Sequence, residues 1–163
     1  MIRECGECNI CCNIVQVSEG SFYKSAGVLC TFSNKGCDLF NNEKRPKVCL
    51  SYQCSWSRGY GKITDRPDIS NVMLSVCDFN GGTWLFIQET KKGAIRGSGK
   101  NIIIDCIKKF NFPAIISDYK TENGKDYGDY VVIKSELEKR SNKIKGEFLY
   151  KLSDSIKVYK LNK

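Results

Sequence analysis

The feature that most constrains this chain is the uneven distribution of its cysteines. Eight of the ten cysteines fall within the first 54 of 163 residues, and the run CGECNICC packs four of them into eight positions. The eight are Cys5, Cys8, Cys11, Cys12, Cys30, Cys37, Cys49 and Cys54. Isolated buried thiols behave as small hydrophobic side chains. Such a dense group indicates instead that the sulfurs share a chemical task.

Disulfide bonds and metal ligation are the two tasks that such a group could serve. Disulfides need an oxidising compartment, and the N-terminal segment MIRECGECNICC lacks the apolar core of a signal peptide. No apolar run approaches the roughly 18 residues of a membrane-spanning helix, so no membrane association is predicted. We therefore expect a cytoplasmic protein whose cysteines are thiolate ligands.

The spacing of the first cysteines is typical of a metal site. Cys5, Cys8 and Cys11 repeat the C-x2-C-x2-C spacing of ferredoxin-type clusters, and C-x2-C is also half of a structural zinc site. Adjacent side chains diverge, so one of Cys11 and Cys12 would complete a site with Cys5 and Cys8 while the other faces a second group. Two four-sulfur sites, one polynuclear cluster, or one cluster with two spare thiols are all compatible with this spacing.

The chain contains no histidine. This excludes His-containing metal sites and a Ser-His-Asp triad. Any metal bound by the cysteine group would be held by sulfur, with a carboxylate as the one plausible addition.

Beyond the spacing, these residues resemble a known family. The segments CGECNICC and CDLFNNEKRPKVCLSYQC, with Cys30 between them, resemble the zinc- or iron-chelating proteins defined by a CxxCxxCC motif, the YkgJ-like cysteine-cluster family. The likeness covers residues 4–58. The family pattern is filled in order by Cys37, Phe40, Arg45, Pro46, Cys49, Tyr52 and Cys54. Asn9, Leu50 and Gln53 replace residues that are common in the family and leave the candidate ligands intact.

The resemblance implies metal binding by the eight cysteines, and both zinc and iron are proposed for the family. Some relatives look like iron–sulfur proteins linked to the modification of other proteins. An iron–sulfur-dependent oxidoreductase or protein-modifying enzyme is therefore one expectation, although the resemblance implies no particular reaction. We favour an iron–sulfur cluster used for redox or group-transfer chemistry. The alternative is a zinc-stabilised binding module that contacts a protein or nucleic acid without catalysis.

Three further residues are predicted to surround the ligands. Pro46 fixes the backbone between Cys37 and Cys49, and Arg45 would place a positive charge beside the thiolates. Tyr52 would roof the site and keep solvent out. The alternative for these residues is a surface arginine at a turn and an ordinary core tyrosine.

The net charge of +8 is spread along the chain. A basic balance permits contact with nucleic acid, but no cluster of aromatic and basic residues of the kind that grips single strands is present. Lysines on solvated faces explain most such excesses. The sequence is compatible with a protein or a small-molecule partner and does not identify it.

The predicted fold class is α+β. Residues 1–60 form a loop-rich cysteine-cluster metal module, and residues 61–163 form a small α+β extension with a β-hairpin, packed on the module as one structural domain. In the module we expect a strand over Asn13–Val17 and a helix over Glu19–Ala26. In the extension, hydrophobic periodicity predicts strands over Val72–Phe79, Thr83–Glu89, Ala114–Asp118, Tyr130–Lys134 and Ile156–Leu161, a helix over Asn101–Phe110, a polar loop over Lys120–Gly128 and a helix beginning at Ser135. Cys77 and Cys106 are predicted to be packed thiols.

The segment Gly97-Ser98-Gly99-Lys100 resembles part of a phosphate-binding loop. The full pattern needs a glycine at position 94 and a serine or threonine at position 101, where this chain has Ala94 and Asn101. We therefore expect an ordinary loop before a helix.

Overall fold

The fold was analysed in a computed structural model that describes residues 3–79, 81–117, 130–134 and 146–161. The N-terminal 60 residues consist mostly of loops that connect short elements. These elements are α1 (Ile10–Ile14), the β1–β2 hairpin (Val17–Glu19 and Phe22–Lys24), the β3–β4 hairpin (Ser33–Asn34 and Gly36–Cys37) and α2 (Lys47–Ser51). A 3-10 turn (Ile63–Asp65) and α3 (Pro67–Ser70) follow.

Two predictions for the module are wrong. The helix α1 begins directly after Asn9 and includes Asn13 and Ile14 of the span predicted as the strand Asn13–Val17, and β1 begins only at Val17. The span predicted as the helix Glu19–Ala26 contains a hairpin instead, in which Glu19 pairs with Phe22. Gly20 has a φ of 57° in this turn, a conformation that glycine adopts without steric cost. The chain therefore reverses at Gly20 and cannot continue as a helix.

The C-terminal part is built on a mixed sheet in the order β5-β6-β7-β8-β10-β9. Its strands are β5 (Val72–Phe79), β6 (Gly82–Glu89), β7 (Ala114–Ser117), β8 (Tyr130–Lys134), β9 (Gly146–Ser153) and β10 (Ile156–Leu161). The pair β6–β7 is parallel and is connected through α4 (Lys100–Phe110), whereas the other neighbours are antiparallel. The fold is therefore α+β, as the sequence predicts.

The main core lies between α4 and one face of this sheet. Ile103 and Ile107 of α4 are buried against Leu85, Ile87 and Ile116 of the central strands. Cys106 is 4% exposed within the same core, which confirms its predicted packing. Cys77 on β5 is only partly buried, because its strand lies at the edge of the sheet.

The opposite face of the sheet contacts the cysteine module at β5. Met73 is buried in a small core with Cys54 and Trp56 of the module. The backbone N–H of Ser55 donates to the carbonyl of Leu74 over 2.6 Å. The module is therefore joined to the sheet both by apolar packing and by backbone hydrogen bonding.

Most predicted elements of the extension are confirmed. The hairpin at positions 72–89, α4 and the strands at 114, 130 and 156 lie within one residue of their predicted bounds. The strand β9 was not predicted. The predicted loop Lys120–Gly128 and the predicted helix beginning at Ser135 lie outside the described residues. Within the described ranges, no helix has the length and apolarity that crossing a membrane would require.

The Gly97–Lys100 segment is the turn that leads into α4. A β-carbon at Gly99 would overlap the side chain of Val72, and the Gly99 N–H donates to the carbonyl of Ala94 over 2.8 Å. Gly99 thus allows close packing of this turn on β5, in agreement with the prediction of an ordinary loop.

Candidate metal centre

Seven of the eight candidate ligands line one cavity of about 60 Å³ in the module. They are Cys5, Cys8, Cys11, Cys12, Cys30, Cys37 and Cys49. The eighth, Cys54, lies behind this cavity and lines a smaller one of about 50 Å³ together with Cys5 and Cys11. Cysteines up to 44 positions apart in the sequence are thus brought around one chamber.

The first two ligands are carried by a tight turn, in which the N–H of Cys8 donates to the carbonyl of Cys5 over 3.1 Å. The turn is held from both sides. The guanidinium of Arg3 donates to the carbonyls of Gly59 and Gly61, and the buried Gly36 lies directly against the backbone of Gly6. The β3–β4 hairpin therefore rests on the turn that carries Cys5 and Cys8.

The next two ligands lie side by side on α1. The thiol of Cys11 donates a hydrogen bond to the sulfur of Cys12, which raises the pKa of Cys11 and lowers that of Cys12. Cys12 is also hydrogen-bonded to Ser33 and Cys37. Cys12 is therefore the thiol of this pair that ionises more readily.

The remaining open side of the chamber is formed by the β3–β4 region and α2. The N–H of Cys30 donates to the carbonyl of Cys12 over 2.9 Å, which fixes its loop against α1. The helix α2 carries Cys49, and its first N–H groups, from Lys47 and Val48, donate to the Glu19 carboxylate over 3.0 and 2.8 Å. Glu19 thus satisfies free helix donors and links α2 to the β1–β2 hairpin.

Backbone N–H groups point at several of the sulfurs. Ser57 N–H lies 3.5 Å from Cys54 Sγ, and the sulfurs of Cys8 and Cys37 accept backbone hydrogen bonds from Ile10 and Leu39. Such donors stabilise the ionised form of an acceptor group. Hydrogen bonds of this kind orient the sulfur ligands of metal sites and change the reduction potential of the bound metal.

Asp68 is a site residue that the sequence analysis missed. Its carboxylate accepts a hydrogen bond from the Cys8 thiol and forms a two-pronged contact with Arg66, with distances of 2.7 and 2.8 Å. Burial raises the pKa of Asp68, but the Arg66 hydrogen bonds and charge outweigh it and hold that pKa below its usual range. An Asp far from the cysteines gives no local signal, and only the packing of α3 against the Cys5–Cys8 turn brings it there.

Lys24 is the second residue that sequence reasoning missed. It is 6% exposed, and its ammonium group donates to the carbonyls of Asn13, Ser25 and Val28 over 2.9–3.0 Å. Burial lowers its pKa, and the nearby thiols of Cys30 and Cys12 act in the opposite direction. A buried lysine in a polar segment has no sequence signature, since most lysines are exposed.

The three residues predicted to surround the ligands all line the chamber. Arg45 stacks on the ring of Phe40 at 4.7 Å and donates to the Phe40 carbonyl, while its Nε is buried with no hydrogen-bond partner among the described residues. Tyr52 has a raised pKa because it is buried, and its hydroxyl lies 3.3 Å from Met73 Sδ. Pro46 directly precedes α2. Arg45 therefore places a positive charge and an unpaired N–H beside the thiols. Both would stabilise thiolates formed when the cysteines lose their protons.

The thiols are not arranged as a bound ion would require. In the parts of the chain that the structure describes, no group of three or more Cys, Asp or Glu side chains is placed so that it could hold a metal ion. Burial raises the pKa of the Cys5 thiol to about 11 and also raises the pKa of Cys49, which favours neutral, hydrogen-bonded thiols. Ligation would require loss of these protons and rotation of the side chains.

The chemistry of the donor set nevertheless fits zinc or iron. Eight sulfurs are the donors that zinc and iron–sulfur clusters prefer, and backbone donors together with Arg45 and Lys24 lie beside them. Comparisons of the chain with protein-family models, with curated proteins and with solved structures gave no match, so its assignment depends on the cysteine chamber and on the resemblance over residues 4–58.

Proposed function

We propose that this chain is a metal-binding protein that holds an all-cysteine site, with an iron–sulfur cluster as the favoured cofactor. The observation that carries the proposal is the chamber lined by seven cysteines, with an eighth directly behind it. Ordinary core thiols are scattered, and the chain's own example is Cys106 in the core under α4. The convergence of eight thiols supports a shared role as metal ligands.

When bound, an iron–sulfur cluster supplies electron transfer, or a Lewis-acidic iron if one coordination position stays open. The surrounding residues would do the rest. Arg45 would offset the negative charge of the thiolates with its unpaired Nε–H. Tyr52, whose phenol stays protonated because it is buried, would close the inner side of the site to water. Redox or group-transfer chemistry at an open iron is the use we propose.

A zinc-stabilised binding module is the second candidate, and one observation favours it. Large apolar side chains are exposed around the module, namely Tyr23, Val28, Leu29, Phe32, Val48 and Leu50. Clustered exposed apolar surface is typical of protein-binding sites. In this alternative, zinc would hold the loops that present this surface, and a partner protein would cover it.

Purification without oxygen, followed by metal and sulfide analysis and an absorption spectrum, separates the two candidates. We expect a brown protein with iron, acid-labile sulfide and a broad absorption in the violet. A colourless protein with about one or two zinc ions per chain would support the binding module instead. A protein that holds neither metal after reconstitution with each would contradict both.

Single substitutions test which cysteines are the ligands. Cys8→Ser and Cys11→Ser should each lose metal, because each removes a sulfur from the chamber. Cys77→Ser and Cys106→Ser are the matched controls and should keep it, since neither residue lies at the chamber. Unchanged metal content in Cys8→Ser and Cys11→Ser would refute the site assignment.

A further inference from the structure

We propose that a surface patch of aromatic and basic side chains at the end of α4 binds single-stranded nucleic acid. This patch, the Tyr60 patch, consists of Tyr60, Lys108, Lys109, Phe110 and Phe112. Bases of the strand would stack on the rings, and its phosphates would contact the lysines. The inference goes beyond the proposed function and does not depend on which metal the cysteines hold.

The patch is formed by two short segments that the fold brings together. The segment RGYGK at 58–62 follows the cysteine module, and the segment KKFNF at 108–112 covers the end of α4 and the residues after it. The two segments lie 50 positions apart and together contain four cations, three aromatic residues and no acidic residue. Neither segment by itself is an aromatic–basic cluster, so the patch has no signature in the sequence.

The aromatic rings of the two segments are in direct contact. The Tyr60 and Phe110 rings meet edge to face with their centroids 4.7 Å apart. The Phe110 and Phe112 rings are nearly parallel, with an interplanar angle of 12° and a centroid distance of 6.1 Å. All three residues are partly exposed. They form a platform of adjacent rings at the surface, which is the feature on which unpaired bases stack.

A cation lies directly beside this platform. The Nζ atom of Lys109 is 5.4 Å from the centre of the Tyr60 ring and 5.7 Å from that of Phe110, within the range of cation–π contacts. Lys108 precedes it, and both lysines are exposed on the last turn of α4. Asp105 lies one turn earlier on the same helix, yet the Lys109 ammonium group lies over the rings. A phosphate bound by Lys109 would therefore lie within one nucleotide of the platform.

The loop that carries Tyr60 is held in place by the rest of the fold. The guanidinium of Arg3 donates to the carbonyls of Tyr60 and Gly61 over 3.1 and 2.8 Å. The N–H of Tyr60 donates to the carbonyl of Ser55 over 3.0 Å. A β-carbon at Gly61 would lie 3.1 Å from Ile102 of α4, so the loop lies directly against the helix. A loop that is already ordered loses less conformational entropy when a ligand binds.

The combination of charge and rings favours a single-stranded nucleic acid over other anionic partners. An acidic peptide would be attracted by the lysines, but its carboxylates gain nothing from aromatic rings. A duplex presents phosphates and keeps its bases stacked inside, whereas a single strand presents both phosphates and free bases. The net charge of +8 would also speed association with a polyanion.

Fluorescence anisotropy with a labelled oligothymidylate of about 12 nucleotides tests the lysines of the patch. The full chain is purified without oxygen so that any bound metal is retained. We expect the logarithm of the binding constant to fall with the logarithm of the KCl concentration with a slope of about −2, as for three phosphate contacts. Lys109→Ala should weaken binding about fivefold or more and make this slope shallower by about 0.7. Lys109→Arg keeps the charge and should bind as the natural chain does.

The matched control for this charge is Lys92→Ala. Lys92 is exposed and follows the far end of β6, whereas the Pro113 carbonyl next to the patch accepts the N–H of Leu85 near the start of that strand. Lys92→Ala should change the affinity by less than about twofold.

Substitutions of Tyr60 test the stacking of bases. Tyr60→Ala should weaken binding about fivefold or more, because it removes a ring from the platform, and Tyr60→Phe should retain the affinity. Tyr23→Ala is the matched control, since Tyr23 is an exposed tyrosine on β2 outside the patch. If Tyr60→Ala does not fold, Phe112→Leu replaces it, because leucine keeps an apolar side chain and removes the ring.

Several results would overturn the proposal. Absence of oligothymidylate binding at low salt, or equal losses in Lys109→Ala and Lys92→Ala, would mean that the Tyr60 patch is not a binding site for nucleic acid. A poly-glutamate peptide or a DNA duplex that binds as tightly as the single strand, with no effect of Tyr60→Ala, would assign attraction by charge alone. The metal content of the same samples tests the proposed function separately.

Discussion

At the residue scale, the chamber depends on Gly36, a position where the structure leaves no room for a β-carbon. Gly36 has a φ of 97°, and a β-carbon there would overlap the carbonyl oxygen of Gly6. The turn that carries Cys5 and Cys8 can approach the strand that carries Cys37 only because this side chain is missing. The backbone contact between Gly36 and Gly6 therefore sets how far apart these sulfurs lie.

Replacing Gly36 with alanine should open the chamber. We expect the positive φ alone to cost about 1–2 kcal/mol, and the overlap with Gly6 should weaken metal binding in addition. Gly20→Ala is the matched control, because Gly20 also has a positive φ but has nothing within 4 Å of a β-carbon. Urea unfolding and cobalt affinity measure the two effects. Equal metal affinity in the two variants would show that the Gly36 contact does not position the ligands.

At the element scale, helices and hairpins of the module are too short to be stable alone. The helices α1 and α2 have five residues each, well below the length at which isolated helices form in water. Their positions are fixed by contacts with other segments, such as the Glu19 carboxylate at the first turn of α2. By contrast, α4 has eleven residues and one strongly apolar face buried on the sheet.

Cys106 on α4 predicts how stability depends on pH. Burial raises its pKa from 9.0 to about 11, so the unfolded thiol ionises first as the pH rises. The stabilisation is present below pH 9 and is lost as the pH rises towards 11. Between these two pH values, the unfolding free energy of Cys106→Ala should decrease less than that of the natural chain. Urea unfolding of the reduced, metal-free protein measures this decrease. The control Cys77→Ala should retain most of the fall, and a Cys106→Ala profile identical to that of the natural chain would contradict the prediction.

At the scale of the whole molecule, the sheet serves as the rear wall of the cysteine chamber. Met73 faces the module while its neighbours Val72 and Leu74 face the core under α4. The hydroxyl of Tyr52 reaches Met73 Sδ, so the sheet and the ligand-bearing module share one packed contact. Since a ligand that binds only the folded state stabilises it, metal binding should be coupled to the stability of the sheet.

Met73→Ala should therefore weaken metal binding as well as the fold. We expect a loss of about 2–5 kcal/mol in unfolding free energy from the buried cavity and faster release of the bound metal. Ile87→Ala is the matched control, because it creates a cavity on the other face of the sheet. Denaturant unfolding and EDTA-induced cobalt release are the measurements. Identical release from both variants at equal stability would mean that β5 does not support the site.

The sequence by itself determined the α+β class, five of the six strands of the sheet (all but β9) and the identity of the candidate ligands. Local periodicity is sufficient for long strands and for α4, and the cysteine spacing is visible without any fold. It did not determine the short elements of the module, where a strand and a helix were predicted and α1 and a hairpin formed. Segments of three to five residues carry too little periodic pattern, and their conformation is decided by the contacts they make.

Only the tertiary structure decided which residues surround the sulfurs and which sulfurs line the same cavity. Asp68 accepts a hydrogen bond from Cys8, which lies far from it in the sequence. Lys24 is buried where one carbonyl from α1 and two from the loop after β2 converge on its ammonium group. Cys54 packs against Met73 of the sheet and Cys49 lines the larger cavity, although they are five residues apart. The sequence gives the order of the cysteines along the chain. Metal ligation depends on the distances between their sulfurs and on their burial, and both are set by contacts between distant segments.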